Sequence, residues 1–195
     1  GGTKRGERIM RVIVFGGAGD MGSRAVEDLA GTQGVSHVTI ADNNTAAAER
    51  VKERLGSAAA KVEVRHVDAL NRGSVIDALR GHDVAASALG PFYKFEAPLI
   101  EAAIEARVDY VSIADDWSAV RDALDLNDQA ERAGVTVITG LGASPGMTNL
   151  LACYLSRGME SVKGIDVSVY QPWSAGGGEA VLRHLLYIVS GNVAA

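Results

Sequence analysis

The sequence predicts an α/β fold built on a doubly wound parallel sheet, and three observations carry that expectation. Short β-rich runs alternate with helical patterns almost from end to end of the 195 residues. The strand-plus-helix units are about 25 to 30 residues long, the length of a right-handed crossover between parallel strands. Most helical patterns stop at a glycine, namely Gly31, Gly56, Gly81, Gly134 and Gly158. A glycine just past a helix end accepts the left-handed conformation at little steric cost.

Taken in chain order, the opening residues 1–9 (GGTKRGERI) show no periodicity and read as a leader or a disordered arm. Strands are predicted at Met10–Phe15, His37–Ala41, Val62–Val67, Asp83–Ala88, Tyr110–Ile113 and Val135–Thr139. Each is a short apolar or β-branched run bounded by turn residues. Helices are predicted near Met21–Ala30, Thr45–Leu55, Gly73–Arg80, Glu96–Arg107, Ser118–Ala133 and Met147–Arg157. Asn43 or Asn44, Asn71 and Asp116 stand where N-caps belong. After Gly158 the rhythm changes. VKGIDVSVY reads as another strand, QPWSAGGGEA as a flexible loop, and VLRHLLYIVSG as a short helix. About 35 residues cannot enclose a core of their own. The expected organisation is therefore a domain over 10–158, with 159–195 docking on it or beginning a second domain.

Composition excludes several classes. Nearly half the residues are apolar and the net charge is −5, with no Lys/Arg-rich stripe, which argues against nucleic acid as a partner. No apolar run approaches the roughly 18 residues of a membrane span, and no signal-peptide pattern opens the chain. The single cysteine, Cys153, precludes an internal disulfide and fits a reducing compartment, so a cytoplasmic location is expected. Cys153 lies in the apolar stretch LLACYL and reads as packing rather than as a nucleophile. His37, His66, His82 and His184 are scattered without metal-ligand spacing, so no metal is expected.

The informative stretch is VIVFGGAGDMGSRAVEDLAG. Gly17-Ala18-Gly19-Asp20-Met21-Gly22 fits G-x-G-x-x-G between a strand and a helix, the Rossmann-type dinucleotide turn. The first glycine permits the turn, the second lets a pyrophosphate approach the backbone, and the third lets the helix pack close to the strand. Asp42 ends the second strand twenty residues beyond Gly22, where a carboxylate accepts hydrogen bonds from an adenosine ribose. That acid favours NAD over NADP. Asp20 reads either as a helix cap or as a water-mediated cofactor contact. Asp68, at the end of the third strand, reads either as an adenine contact or as a cap of the following helix.

Further candidates lie at later strand ends, where open α/β sheets bind ligands. Leu89, Gly90 and Pro91 leave the fourth strand, followed by Tyr93 and Lys94, which read as surface. No tyrosine has lysine four positions later, so the Tyr-x-x-x-Lys pair of short-chain dehydrogenases is absent. Asp115 and Asp116 follow the fifth strand; Asp116 reads as a cap and Asp115 as solvated, with a role in binding a cationic amine as the alternative. Gly146 and Thr148 in GLGASPGMTN mark a second anion-friendly helix start. His184, beyond the nucleotide domain, is either a substrate-facing general acid or a surface residue. Asp115, Asp116 and His184 are the weak catalytic candidates.

Several stretches together resemble the saccharopine dehydrogenase-like family, which includes saccharopine reductases and related opine-type enzymes. They are GGAGDMG, LGPFYKFEAPLIEAAIEARVDYVSIADD, SPGMTNLLA and the tail GGGEAVLRHLLYIVSGNV, which resembles the start of that family's substrate domain. The resemblance implies an oxidoreductase moving a hydride between a nicotinamide cofactor and a carbon bonded to nitrogen. In oxidation, the resulting imine would be hydrolysed to amine and carbonyl compound. By the same resemblance the nucleotide contacts fall on Gly17, Gly19, Asp20, Met21, Asp42, Asp68 and the Leu89–Pro91 loop, with Ala18, Gly22, Asn43 and Ala69 adjoining. Saccharopine reductases carry a more polar or basic end to the second strand, whereas this chain has ADNN. Because the residues that hold a substrate are expected mainly in that substrate domain, the chain is expected to bind its cofactor and, by itself, to catalyse little hydride transfer on a small-molecule substrate. A homodimer contact through the apolar face of VLRHLLYIV is a further expectation. A dinucleotide-binding redox sensor and a cofactor subunit completed by a partner chain are the alternatives.

Overall fold

The computed structural model describes residues 9–170. Six strands, β1 (Met10–Phe15), β2 (Val35–Asp42), β3 (Val62–His66), β4 (Val84–Ser87), β5 (Asp109–Ser112) and β6 (Val137–Ile138), form one sheet in the order β3-β2-β1-β4-β5-β6. Every pairing is parallel. The order reverses at β1, so the chain winds outward first one way and then the other, leaving a crevice at the carboxyl ends of β1 and β4.

The helices are α1 (Asp20–Gly31), α2 (Thr45–Glu53), α3 (Arg72–Leu79), α4 (Phe92–Ala106), α5 (Trp117–Leu124), α6 (Asn127–Ala133) and α7 (Met147–Ser156). They cover both faces of the sheet, as strands apolar on both sides require. On one face Val12, Val14, Val38 and Ile40 pack with Val26 and Ala30 of α1 and Ala48 and Val51 of α2. On the other, Ile13, Phe15, Ala85 and Tyr110 pack with Val75 and Leu79 of α3 and Leu99, Ile100 and Ala103 of α4. Asn44 caps α2, accepting from Ala47 N–H at 3.0 Å, and Asn71 caps α3, accepting from Ser74 N–H at 3.1 Å. Gly134 ends α6 in the left-handed conformation, while Gly31 is still helical and Thr32 closes α1. Arg107 takes the left-handed position after α4, a role no glycine marked.

Several boundaries shift by one or two residues, and four elements depart further from the sequence-based expectation. The predicted Ser118–Ala133 helix is broken in two around Asp125 and Leu126. Asp125, Asn127 and Asp128 have low helix propensity, and Leu126 turns into the core. Helix α4 begins at Phe92 rather than Glu96, which moves Pro98 from the expected first turn into the helix interior. Lys94 and Pro98 are both exposed, so the carbonyl that loses its N–H partner lies on the solvent side. Strand β6 keeps only two residues at the sheet's edge. The strand expected in VKGIDVSVY is not formed: residues 159–170 are exposed and unpaired among the described residues. Ile165, Val167 and Val169 alternate as a strand would, but a strand needs a neighbouring edge, and none of the six reaches it. The loop and helix expected after Tyr170, including His184 and the VLRHLLYIV dimer face, lie outside the described residues.

Helix α7 buries none of its residues, and Met147, Leu150, Leu151, Tyr154 and Leu155 are exposed. Cys153 is exposed with them, so it is not packed as its apolar setting suggested. The side chains it was expected to pack with have no facing element among the described residues. Among those residues no helix is long and apolar enough to cross a membrane.

Candidate dinucleotide site

The site begins where β1 runs out. Gly16 follows Phe15 with φ +70°, and a Cβ there would lie 3.0 Å from the Leu89 backbone. The turns after β1 and β4 therefore touch, and only a residue without a side chain lets them. A Cβ on Gly17 would meet Ile40 Cγ2 at 3.0 Å and the Val14 carbonyl at 3.1 Å. A Cβ on Gly22 would lie 2.1 Å from the Gly16 carbonyl oxygen, which no relaxation of a flexible side chain can relieve. Helix α1 thus presses directly on the turn that precedes it.

Gly19 is different. It is exposed, its φ of −78° suits any residue, and within 4 Å a Cβ would find only the Gly16 carbonyl, at 3.3 Å. The protein's own packing crowds Gly16, Gly17 and Gly22 from several sides, but Gly19 only through that one carbonyl contact. Gly19 leaves open space against the backbone at the N-terminus of α1, where helical N–H groups lack intrahelical partners and the helix dipole favours an anion. Gly19 is also the N-cap of α1, so the reading of Asp20 as the cap is corrected: Asp20 is the first helical residue, exposed, beside Met21, also exposed.

Asp42 ties the second strand to this turn. Its Oδ2 accepts from Ala18 N–H at 3.1 Å and its Oδ1 from Asn44 N–H at 2.9 Å. An ionised carboxylate offers about four acceptor positions, so each oxygen retains one for a ribose hydroxyl. Beside it is a groove of about 100 Å³ lined by Asp42, Asn43, Asp68, Ala69 and Leu89, with Phe15, Val67 and Phe95 supplying apolar walls. Five of the residues predicted to contact the nucleotide are therefore brought to one hollow. The alternative reading of Asp68 as a cap is excluded, because Asn71 caps α3 and Asp68 Oδ1 accepts instead from Leu70 N–H at 2.9 Å.

On the other side of the switch point, Gly90 and Pro91 lead half-buried into α4. Asp116 is 2% exposed and its Oδ2 accepts from Tyr93 N–H at 3.1 Å, joining the β5–α5 loop to the first turn of α4. Asp116 does occupy the N-cap position of α5, as expected, but its side chain makes no cap hydrogen bond. Asp115 is exposed. Gly146, with φ +116°, starts α7, and a Cβ there would lie 2.3 Å from the Gly142 carbonyl. No group of three or more His, Cys, Asp or Glu able to hold a metal occurs among the described residues.

Two features escaped the sequence reading. The doubled glycine signalled that Gly16 is special, but not that its neighbour is Leu89. Glu96 gave no signal, being one acid in the apolar run FEAPLI. It is 1% exposed: Oε1 accepts from Ser112 Oγ and, at 2.8 Å, from Thr139 Oγ1, and Oε2 accepts from Tyr110 OH at 2.9 Å. Burial raises the Tyr110 hydroxyl well above the usual phenol range, and the Glu96 carboxylate adds to the effect, so Tyr110 stays a donor.

These residues fit a dinucleotide, and comparison with known proteins agrees. Residues 12–138 match the family model described as the saccharopine dehydrogenase NADP binding domain. The chain belongs to this family. A nicotinamide dinucleotide is accordingly the cofactor class of this saccharopine dehydrogenase NADP-binding domain. Its fold is similar to apo saccharopine dehydrogenase (L-Glu forming) from Saccharomyces cerevisiae, with a TM-score of 0.64 and 24% identity over 75% of this chain and 30% of that one. A trans-acting enoyl reductase from Mycobacterium leprae is 24% identical over 95% of this chain and 47% of its own length. A putative trans-acting enoyl reductase from Mycobacterium tuberculosis is 26% identical over 69% of this chain and 32% of its own. The domain thus spans between a third and a half of the curated relatives it matches.

Proposed function

We propose that this chain is the cofactor-binding part of an NAD(P)-dependent oxidoreductase acting at a carbon–nitrogen bond of an amino-acid-derived or opine-type substrate. The observation that carries the cofactor assignment is Gly19, a glycine that the protein's own packing crowds only through one carbonyl contact, at the start of a helix beside Asp42. Gly19 leaves room for the pyrophosphate, α1 directs N–H groups at it, and Asp42 and the adjoining groove hold the adenosine. The cofactor supplies or accepts a hydride. With a C–N substrate, hydride leaves the carbon as the nitrogen loses a proton, and water hydrolyses the imine. A second reading, favoured by the similarity to the enoyl reductases, is addition of hydride and proton across an activated carbon–carbon double bond.

The assay follows NADH with amino acid plus 2-oxo acid pairs and, separately, with α,β-unsaturated thioesters, using this chain and the full product of its gene. Turnover of the first set alone supports the C–N reading, and turnover of the second alone replaces it. Binding without turnover of either by the full product would leave the redox sensor, or a subunit completed by a partner chain.

NAD is expected to bind more tightly than NADP, although the family's description names NADP. Asp42 offers an acceptor to a ribose 2′-hydroxyl and repels a 2′-phosphate. The lost hydrogen bond and added repulsion amount to about 1–3 kcal/mol, roughly 5- to 150-fold in affinity. Calorimetric titration with both cofactors checks this; equal or tighter NADP binding would overturn it and point to Arg50 or Lys52 as phosphate ligands.

A further inference from the structure

Helix α4 is fastened to the sheet by a carboxylate that the nucleotide contacts do not use. Glu96 sits one turn after the Leu89–Pro91 loop and receives hydroxyl donors from Tyr110 and Ser112 in β5 and from Thr139, just past β6. Ser112 and Thr139 also lie within hydrogen-bond distance of one another, at 3.2 Å, and the Ser112 carbonyl accepts from Leu141 N–H at 2.9 Å. Ser87, at the end of β4, lies beside the same Tyr110 hydroxyl. One buried carboxylate is therefore the common anchor of the three chain segments that leave β4, β5 and β6 at the ligand edge. The Tyr93–Asp116 bond supports the same corner from outside.

Burying a charge in this way is costly unless it is fully hydrogen-bonded, and an apolar residue would fill the space between α4 and the sheet more simply. A polar network that is satisfied fixes one geometry where apolar packing tolerates several. The adenosine half of the crevice belongs to β1, β2 and β3, through Asp42 and the groove beside it. A dinucleotide held there extends its second nucleotide across the switch point, toward the ends of β4, β5 and β6.

We propose that Glu96 is a positioning residue for the nicotinamide half of the cofactor, holding in register the loops that leave β4, β5 and β6. This rests on the dinucleotide reading of the crevice. The test compares two probes, NADH and ADP-ribose, which share the adenosine and pyrophosphate but differ in the nicotinamide. Glu96→Ala is expected to weaken NADH at least tenfold relative to ADP-ribose, whereas a general loss of folding would weaken both alike. Glu96→Gln, which keeps the shape and the acceptor oxygen, restores the ratio to within about threefold of the original. Because Glu96→Ala leaves buried hydroxyls without an acceptor and so costs stability, Thr139→Val serves as the second variant. It removes one donor at nearly constant volume, and its NADH to ADP-ribose ratio shifts in the same direction by a smaller factor.

Equal changes for both probes, or no change, in the folded variants would overturn the role of Glu96. Failure of the unsubstituted protein to bind either probe would instead overturn the dinucleotide reading itself.

Discussion

Replacing Gly19 with valine abolishes cofactor binding while leaving the fold intact. The backbone at Gly19 is extended, which suits a β-branched residue, and the nearest obstacle is a single carbonyl oxygen at 3.3 Å. Folding therefore changes little. The two added methyl groups project into the space where the pyrophosphate meets the start of α1. Affinity is expected to fall at least about 100-fold, close to 3 kcal/mol. The measurement is thermal unfolding with and without NAD. At a ligand concentration of 100 times Kd, the unsubstituted domain gains about 2.7 kcal/mol, roughly 5–11 °C for a chain of this size. The variant should melt at nearly the original temperature without cofactor and gain almost nothing from it. A valine variant that is still stabilised by NAD would show that the phosphates lie elsewhere.

Gly22→Ala has the opposite signature. Its Cβ would lie 2.1 Å from the Gly16 carbonyl oxygen and 2.8 Å from the Gly17 Cα, both backbone atoms. Relief requires α1 to move away from the turn, which opens the contacts of Val26 and Ala30 with the sheet. The expected loss is on the order of 3 kcal/mol, or about 6–12 °C in Tm, even without ligand. Circular dichroism melts check it, and an alanine variant as stable as the original would mean that the close approach of α1 is not required. The two substitutions separate the turn's two duties: Gly22 serves the packing of the protein on itself, and Gly19 serves the ligand.

Much of this architecture is legible in the sequence. The apolar run that became β1 needed no partner information, because a strand buried on both faces is nearly continuously apolar. Asn44 and Asn71 were readable as caps because capping depends on a side chain and the N–H groups two or three residues away. Local chemistry misled where a distant partner intervened. Asp116 stands in a cap position, yet Tyr93 N–H, remote in sequence, takes its carboxylate. Cys153 looked packed because its neighbours are apolar, although burial depends on what faces α7 rather than on its own composition. The expected strand within 159–170 failed for the same reason, since alternation specifies a face but not an edge to pair with.

By itself, then, the sequence determined what neighbours in the chain can settle: the alternation of elements, the glycine turn, and the acid at the end of the second strand. Those rest on backbone sterics and on hydrogen bonds reaching only a few residues. Only the tertiary structure decided which glycine is left for a ligand, because Gly17 and Gly22 look like Gly19 until Ile40 and Gly16 are placed against them. It alone brought Glu96 to Tyr110, Ser112 and Thr139, across up to 43 positions of chain. A buried carboxylate and a solvated one are written with the same letter. What distinguishes them is the set of donors that the fold gathers around the charge, and those donors arrive from β5 and from the segment just past β6.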